Sequence, residues 1–149
     1  MADLLERVGC RRIVSSTFLR AQHSVAPLSR RSGLPIERDE RLVEAALSEV
    51  NVPDWLDRLR ATFDEPGLRF EGGESSQEAQ ARATAAVGDV LGDYRGPTVV
   101  ATHGRLLTLI LRHFDSRFGF AEWQALTNPD AFKVVVDDAA SRVERIWYR

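Results

Sequence analysis

Two stretches of the chain pass from a β-branched apolar run through a polar turn into a helical repeat. The clearer is Val99-Val100-Ala101-Thr102-His103-Gly104, after which Leu106, Leu107, Ile110 and Leu111 recur at helical spacing. This pattern predicts a buried strand, a tight turn and a helix start. The other is Arg12-Ile13-Val14-Ser15-Ser16-Thr17, a strand and Ser/Thr turn before a helix over residues 17–28, with Arg20 in its first turn. Ahead of it, Leu4, Leu5 and Val8 form the apolar face of a helix tail closed by Gly9. Gly33-Leu34-Pro35 reads as a turn and residues 36–38 as a short extended piece. Residues 40–50 and 54–63 read as helical patches separated by Asn51-Val52-Pro53, and residues 63–73 as a loop. Ser75-Ser76-Gln77-Glu78 has capping-box spacing, and Ala79, Ala83, Val87, Val90, Leu91 and Tyr94 share one face of the helix that follows. Gly96-Pro97 stops that helix. Residues 122–126 read as helical, and Asn128-Pro129-Asp130 as a turn. Phe132, Val134 and Val136 alternate, as do Val143, Arg145 and Trp147 beyond a loop at 137–141, which predicts a hairpin at the sheet edge. Strands alternating with helices predict an α/β fold with helices on both faces of a mostly parallel sheet.

Composition narrows the class. A chain of 149 residues, 44% hydrophobic, buries one core, so a single domain over residues 1–149 is expected. No apolar run approaches the ~20 residues needed to span a bilayer, and no signal segment opens the chain; a cytoplasmic protein without a membrane partner is expected. The single cysteine, Cys10, precludes an internal disulfide and reads as a small buried hydrophobe. A net charge of −2 gives no field for gripping nucleic acid, and Arg11-Arg12 and Arg30-Arg31 read as solvated element ends. No motif calls for a cofactor or a metal.

The chemistry concentrates at His103-Gly104. The turn sets an imidazole beside the positive end of a helix dipole, with backbone N–H groups facing outward, a place suited to an anion and to phosphate above all. The plainer alternative is a histidine that only hydrogen-bonds a strand end.

Five segments in order resemble the histidine phosphatase superfamily, the phosphoglycerate-mutase-like enzymes, over roughly residues 3–148. They are the strand into Ser15-Ser16, Leu19-Arg20-Ala21 after it, Leu42-Val43-Glu44, Gly73-Glu74-Ser75 before a long helix, and the strand ending in His103-Gly104. Thr17 stands where the family has Pro. The family also opens with a strand ending in Arg-His-Gly, whose histidine takes the phosphoryl group covalently. No such tripeptide occurs here: the histidines are His23, His103 and His113, and Gly follows only His103. The resemblance therefore implies a three-layer sandwich that lacks its first central strand, the chain starting within the helix after it.

The resemblance also implies roles. Phosphoryl transfer spreads negative charge over three equatorial oxygens, so positioned cations and donors carry the catalysis. Arg20 would be one of two arginines clamping those oxygens bidentately, and His103 would donate to the same oxygens. Glu44 would be the proton donor to the leaving oxygen. The N–H groups of Gly104 and Arg105 would complete the cradle. The competing readings are a helix-surface ion pair for Arg20 and a solvated residue of an acidic helix for Glu44. Glu74 suits a helix-dipole role ahead of Ser75, His23 an exposed site, and His113 a helix C-terminus.

Two functions follow. One is a phosphatase acting on phosphomonoesters through a phosphohistidine, its nucleophile-bearing segment absent through a misplaced start or a deliberate shortening, and so inactive over these residues. The other is a non-catalytic module that binds phosphate or phosphorylated ligands, or acts by oligomerising. His103 as a substitute nucleophile is a weaker third. Without the central strand, the strands around Ile13-Val14 and Val99-Val100 must pair directly, accept a filler segment, or dimerise through the exposed edge. Association or low stability is the expectation.

Overall fold

The computed structural model describes residues 1–137 and 140–148. They form two compact units, Met1–Val43 with Ala83–His103, and Glu44–Arg82 with Gly104–Arg149.

The first unit is built on a three-stranded, wholly parallel sheet. Helix α1 (Ala2–Arg7) ends ahead of Gly9, whose φ of 71° turns the chain into β1 (Arg12–Ser15). Helix α2 (Leu19–Ser32) returns the chain to β2 (Ile36–Arg38), and β3 (Thr98–Ala101) completes the sheet in the order β2-β1-β3. Helix α2 runs four residues past the expected end at residue 28. Pro27 gives up only its own N–H, and the helix stops where Gly33 takes a left-handed conformation and donates to the Ser29 carbonyl at 2.9 Å.

The core explains the strand sequences. Ile13, Val25, Leu28, Ala101 and Leu5 pack as one buried cluster, and Met1, Val8, Cys10, Leu34, Ile36 and Val99 close over it. Each fully buried aliphatic side chain contributes about 1.5–3 kcal/mol.

Direct pairing is how the sheet closes: Ile13 lies opposite Val99, and Val14 opposite Val100. Strand β1 is thus the central strand, bonded on both sides. This corrects the expectation of two rows of unpaired groups along Ile13-Val14 and Val99-Val100, and with it the reason to expect dimerisation or low stability from those facing edges. The hydrogen bonds that a middle strand would have received are made between its neighbours instead.

The second unit carries α3 (Trp55–Asp64), α5 (Gly104–Phe114), α6 (Phe120–Gln124) and an antiparallel pair, β4 (Phe132–Val136) with β5 (Ser141–Arg145). The hairpin forms as predicted but makes a two-stranded sheet of its own. The loop expected at 137–141 falls partly outside the described residues. Helix α4 (Ser76–Gly92) starts in this unit and ends in the first. Its capping box closes both ways: Glu78 N–H donates to Ser75 Oγ at 3.1 Å, and Ser75 N–H to Glu78 Oε2 at 2.9 Å. Its buried face is Ala79, Ala83, Ala86 and Val90, while Leu91, in its last turn, and Tyr94, beyond it, stand exposed.

The clearest departure lies at residues 40–50. Only one turn of 3₁₀ helix forms there (Glu40–Leu42), started by Asp39 accepting from the Arg41 N–H at 2.9 Å, and Val43 is already extended. The expected helix is not made because tertiary partners claim the backbone that follows.

Candidate active site

In the first unit, Arg20 and His103 meet although 83 residues separate them. Strand β1 ends at Ser15, and Ser16 continues its ladder by donating to the Ala101 carbonyl at 2.9 Å. Ser16 Oγ then accepts the N–H of Phe18 at 3.2 Å, which opens α2 and places Arg20 in its first turn. Strand β3 ends at Ala101, and Thr102 Oγ1 anchors the next step by donating to the Leu42 carbonyl at 2.8 Å. The His103 ring is thereby carried back over the end of β1. Its Nδ1 accepts from Arg20 Nε at 3.1 Å, and its Nε2 lies 2.8 Å from Ser16 Oγ. Phe18 meets the imidazole edge-on with centroids 5.3 Å apart, and the Arg20 guanidinium lies over the same phenyl ring at 5.1 Å. His103 is buried and Arg20 exposed, so a charged donor at the surface is joined to a ring held by the core.

In the second unit, Glu44 and the amino end of α5 meet. Glu44 Oε1 accepts the N–H of Leu106 at 3.0 Å and of Ala45 at 2.9 Å, and Oε2 accepts that of Arg105 at 3.2 Å. A carboxylate on the first amides of a helix sits where the dipole favours it. Glu44 is therefore not a residue of an acidic helix, and the Arg105 amide expected in a phosphate cradle donates to it. A Cβ on Gly104 would lie in ordinary contact with Trp123 and Leu126.

The Arg105 side chain is a role the sequence did not announce. The guanidinium is buried and donates to the carbonyls of Ala45 and Ala46 at 3.2 Å, to that of Glu74 at 3.2 Å, and to Ser76 Oγ at 3.4 Å. No hydrogen bond reaches its Nε among the described residues. Burial holds its pKa below the usual arginine range, while the charges of Glu44 and Glu74 pull the other way. Glu74 itself takes a bidentate pair from Arg82, at 2.7 and 2.8 Å.

The remaining candidates fall where charge alone would put them. His23 is exposed on α2, and His113 packs edge-on against Phe114 at 5.0 Å near the end of α5. Cys10 Sγ donates to the Arg12 carbonyl at 3.1 Å within the first unit's core fringe. Arg12 is not a solvated end: it pairs with Glu37 across β1 and β2 and is largely buried. Among the described residues, no three His, Cys, Asp or Glu side chains assemble as a metal site, and no helix is long and apolar enough to cross a membrane.

The two strand ends, one running into Ser15-Ser16 and the other into His103-Gly104, thus bring an arginine onto an imidazole. The chain belongs to the histidine phosphatase superfamily, branch 1, whose family model matches residues 1–146. A mycobacterial glucosyl-3-phosphoglycerate phosphatase in complex with inorganic phosphate is similar in fold at 24% identity and a TM-score of 0.76, over 99% of this chain and 80% of that one. Bacillus stearothermophilus YhfR is similar at 25% identity and 0.75, over 97% and 77%. A phosphoglycerate mutase from Bacillus anthracis str. Sterne is similar at 18% and 0.69, over 97% and 75%. No curated protein matches the chain.

Proposed function

We propose that these residues form the phosphate-recognising part of a phosphatase acting on phosphomonoesters by transfer through a phosphohistidine, and that the 149-residue chain, containing no Arg-His-Gly, does not itself turn over. The observation that carries this reading is the Arg20–His103 contact at 3.1 Å, a permanent cation and an imidazole side by side at the ends of parallel strands. Arg20 clamps the phosphoryl oxygens and His103 donates to them. For Glu44 the proposed role is proton donor to the leaving oxygen, which requires it to leave the amides of Arg105 and Leu106 and take up a proton, and Gly104 and Arg105 lie at the turn into that helix. A small phosphorylated molecule or phosphate is the ligand, in a cytoplasmic setting.

The missing tripeptide favours a second reading, a non-catalytic phosphate-ligand module. A homodimer in that reading would use the outer edge of β3, and sedimentation over a range of concentrations tests for it. Calorimetric titration with inorganic phosphate tests what the two readings share: the chain binds phosphate, and Arg20→Ala and His103→Ala each abolish binding while remaining folded. Phosphate binding that survives both substitutions overturns the site.

A further inference from the structure

The contacts of His103 determine which of its nitrogens can face a ligand. An arginine Nε–H is always a donor, so the Nδ1 that receives it at 3.1 Å must offer a lone pair. The ring proton then resides on Nε2, which lies 2.8 Å from Ser16 Oγ and donates to it. Ser16 is suited to receive it. It is fully buried, its own N–H is fixed on the Ala101 carbonyl at 2.9 Å, and its Oγ already accepts the Phe18 N–H, which fixes where the oxygen sits. Phe18 packs edge-on against the imidazole at 5.3 Å between centroids.

We propose that Ser16 is the positioning residue of this site: it holds the Nε2–H of His103, so that Nδ1, beside Arg20, is the nitrogen presented to a bound anion. An anion arriving at Arg20 takes the guanidinium from Nδ1, and Nδ1 then takes up a proton from solvent to donate to the anion in turn. The Arg20–His103 contact and the contact of each with an anion are thus alternatives, and Ser16 is the fixed pivot of both. This rests on the phosphate reading of the site, but the tautomer is decided without it.

The test is nitrogen NMR of the full chain, which separates protonated from lone-pair imidazole nitrogens, the His103 signals being identified by their loss in His103→Asn. In phosphate-free buffer at neutral pH, His103 shows a protonated Nε2 and a lone-pair Nδ1; the reverse tautomer overturns the proposal. On titration with inorganic phosphate, Nδ1 becomes the nitrogen that changes, gaining a proton, while Nε2 stays protonated. A change at Nε2 instead overturns the proposal. Ser16→Ala, which removes one atom and keeps the fold, gives mixed tautomers and roughly fivefold weaker phosphate binding, the worth of one hydrogen bond; Ser16→Thr restores both. An unaltered Ser16→Ala spectrum overturns the positioning role. Absence of any phosphate response, with the Nε2–H tautomer in place and lost in Ser16→Ala, leaves Ser16 as the pivot and sinks the phosphate reading alone.

Discussion

Glu44 caps the helix that begins at Gly104, with Oε1 accepting the N–H of Leu106 at 3.0 Å and Oε2 that of Arg105 at 3.2 Å. A helix leaves its first N–H groups without intrahelical partners, so a carboxylate from a distant segment here stands in for an N-cap side chain.

Glu44→Ala is accordingly expected to lower stability by about 1–2 kcal/mol, the loss of a helix cap and of its charge–dipole attraction. For a chain of this size that is a fall in melting temperature of roughly 2–8 °C. Glu44→Gln, which keeps one acceptor oxygen, should fall between. Thermal denaturation of both variants within a degree of the parent would refute the cap.

Arg105→Met should be among the most damaging single changes, costing about 3 kcal/mol or more, because it strips the donor from the carbonyls of Ala45 and Glu74 and leaves that of Ala46 with the Glu74 N–H alone. Arg105→Lys should not rescue it, since an ammonium cannot reach three carbonyls with the geometry of a planar fork. Urea midpoints of the two variants decide the matter.

Gly73 lies so near the Leu47 carbonyl that a Cβ would enter its van der Waals shell, and the obstacle is backbone. Gly73→Ala is expected to cost about 1–3 kcal/mol. Gly88→Ala, where a Cβ meets nothing, is the control and should be neutral or stabilising. Equal urea midpoints for the two variants would remove the steric explanation for the glycine before Glu74-Ser75.

Acid should destabilise the first unit through Glu37 and Asp39. The hydrogen bonds from Arg12 hold the Glu37 carboxyl below the usual range, and those from Arg41 do the same for Asp39. A carboxyl whose folded pKa is depressed takes up protons on unfolding. Its contribution is thus present above its unfolded pKa, about 4 for these groups, and lost as pH falls through the lower folded value. Urea midpoints should fall below about pH 4, and Glu37→Gln should shallow that fall. A Glu37→Gln chain with the same acid profile as the parent contradicts this.

The 149-residue chain should hydrolyse aryl phosphates at a rate indistinguishable from that of its His103→Ala variant, since loss of a covalent nucleophile costs several orders of magnitude. Robust turnover that His103→Ala abolishes would make His103 itself the nucleophile.

The sequence by itself determined what depends on neighbours along the chain. The strand, turn and helix passages at Arg12–Ser15 and Thr98–Ala101, the Ser75–Glu78 capping box and the alternating hairpin residues all follow from local periodicity and capping chemistry. The ordered motifs also pointed to Arg20, Glu44 and His103. Tertiary structure decided the rest. Residues 43–50 have helical composition but leave the helix because the Ala45 and Ala46 carbonyls bond Arg105 and the Glu44 side chain caps α5, and no local signal encodes partners some 60 residues away. Helical spacing placed Leu91 and Tyr94 on the same face as Ala79 and Ala83, yet both are exposed and Ala86 is buried, so the packed face is decided by the fold. Ser16 was visible only as a turn residue. Its hold on His103, 87 residues away, exists because β1 and β3 pair in register, Val14 beside Val100, which periodicity allows but only the folded sheet fixes.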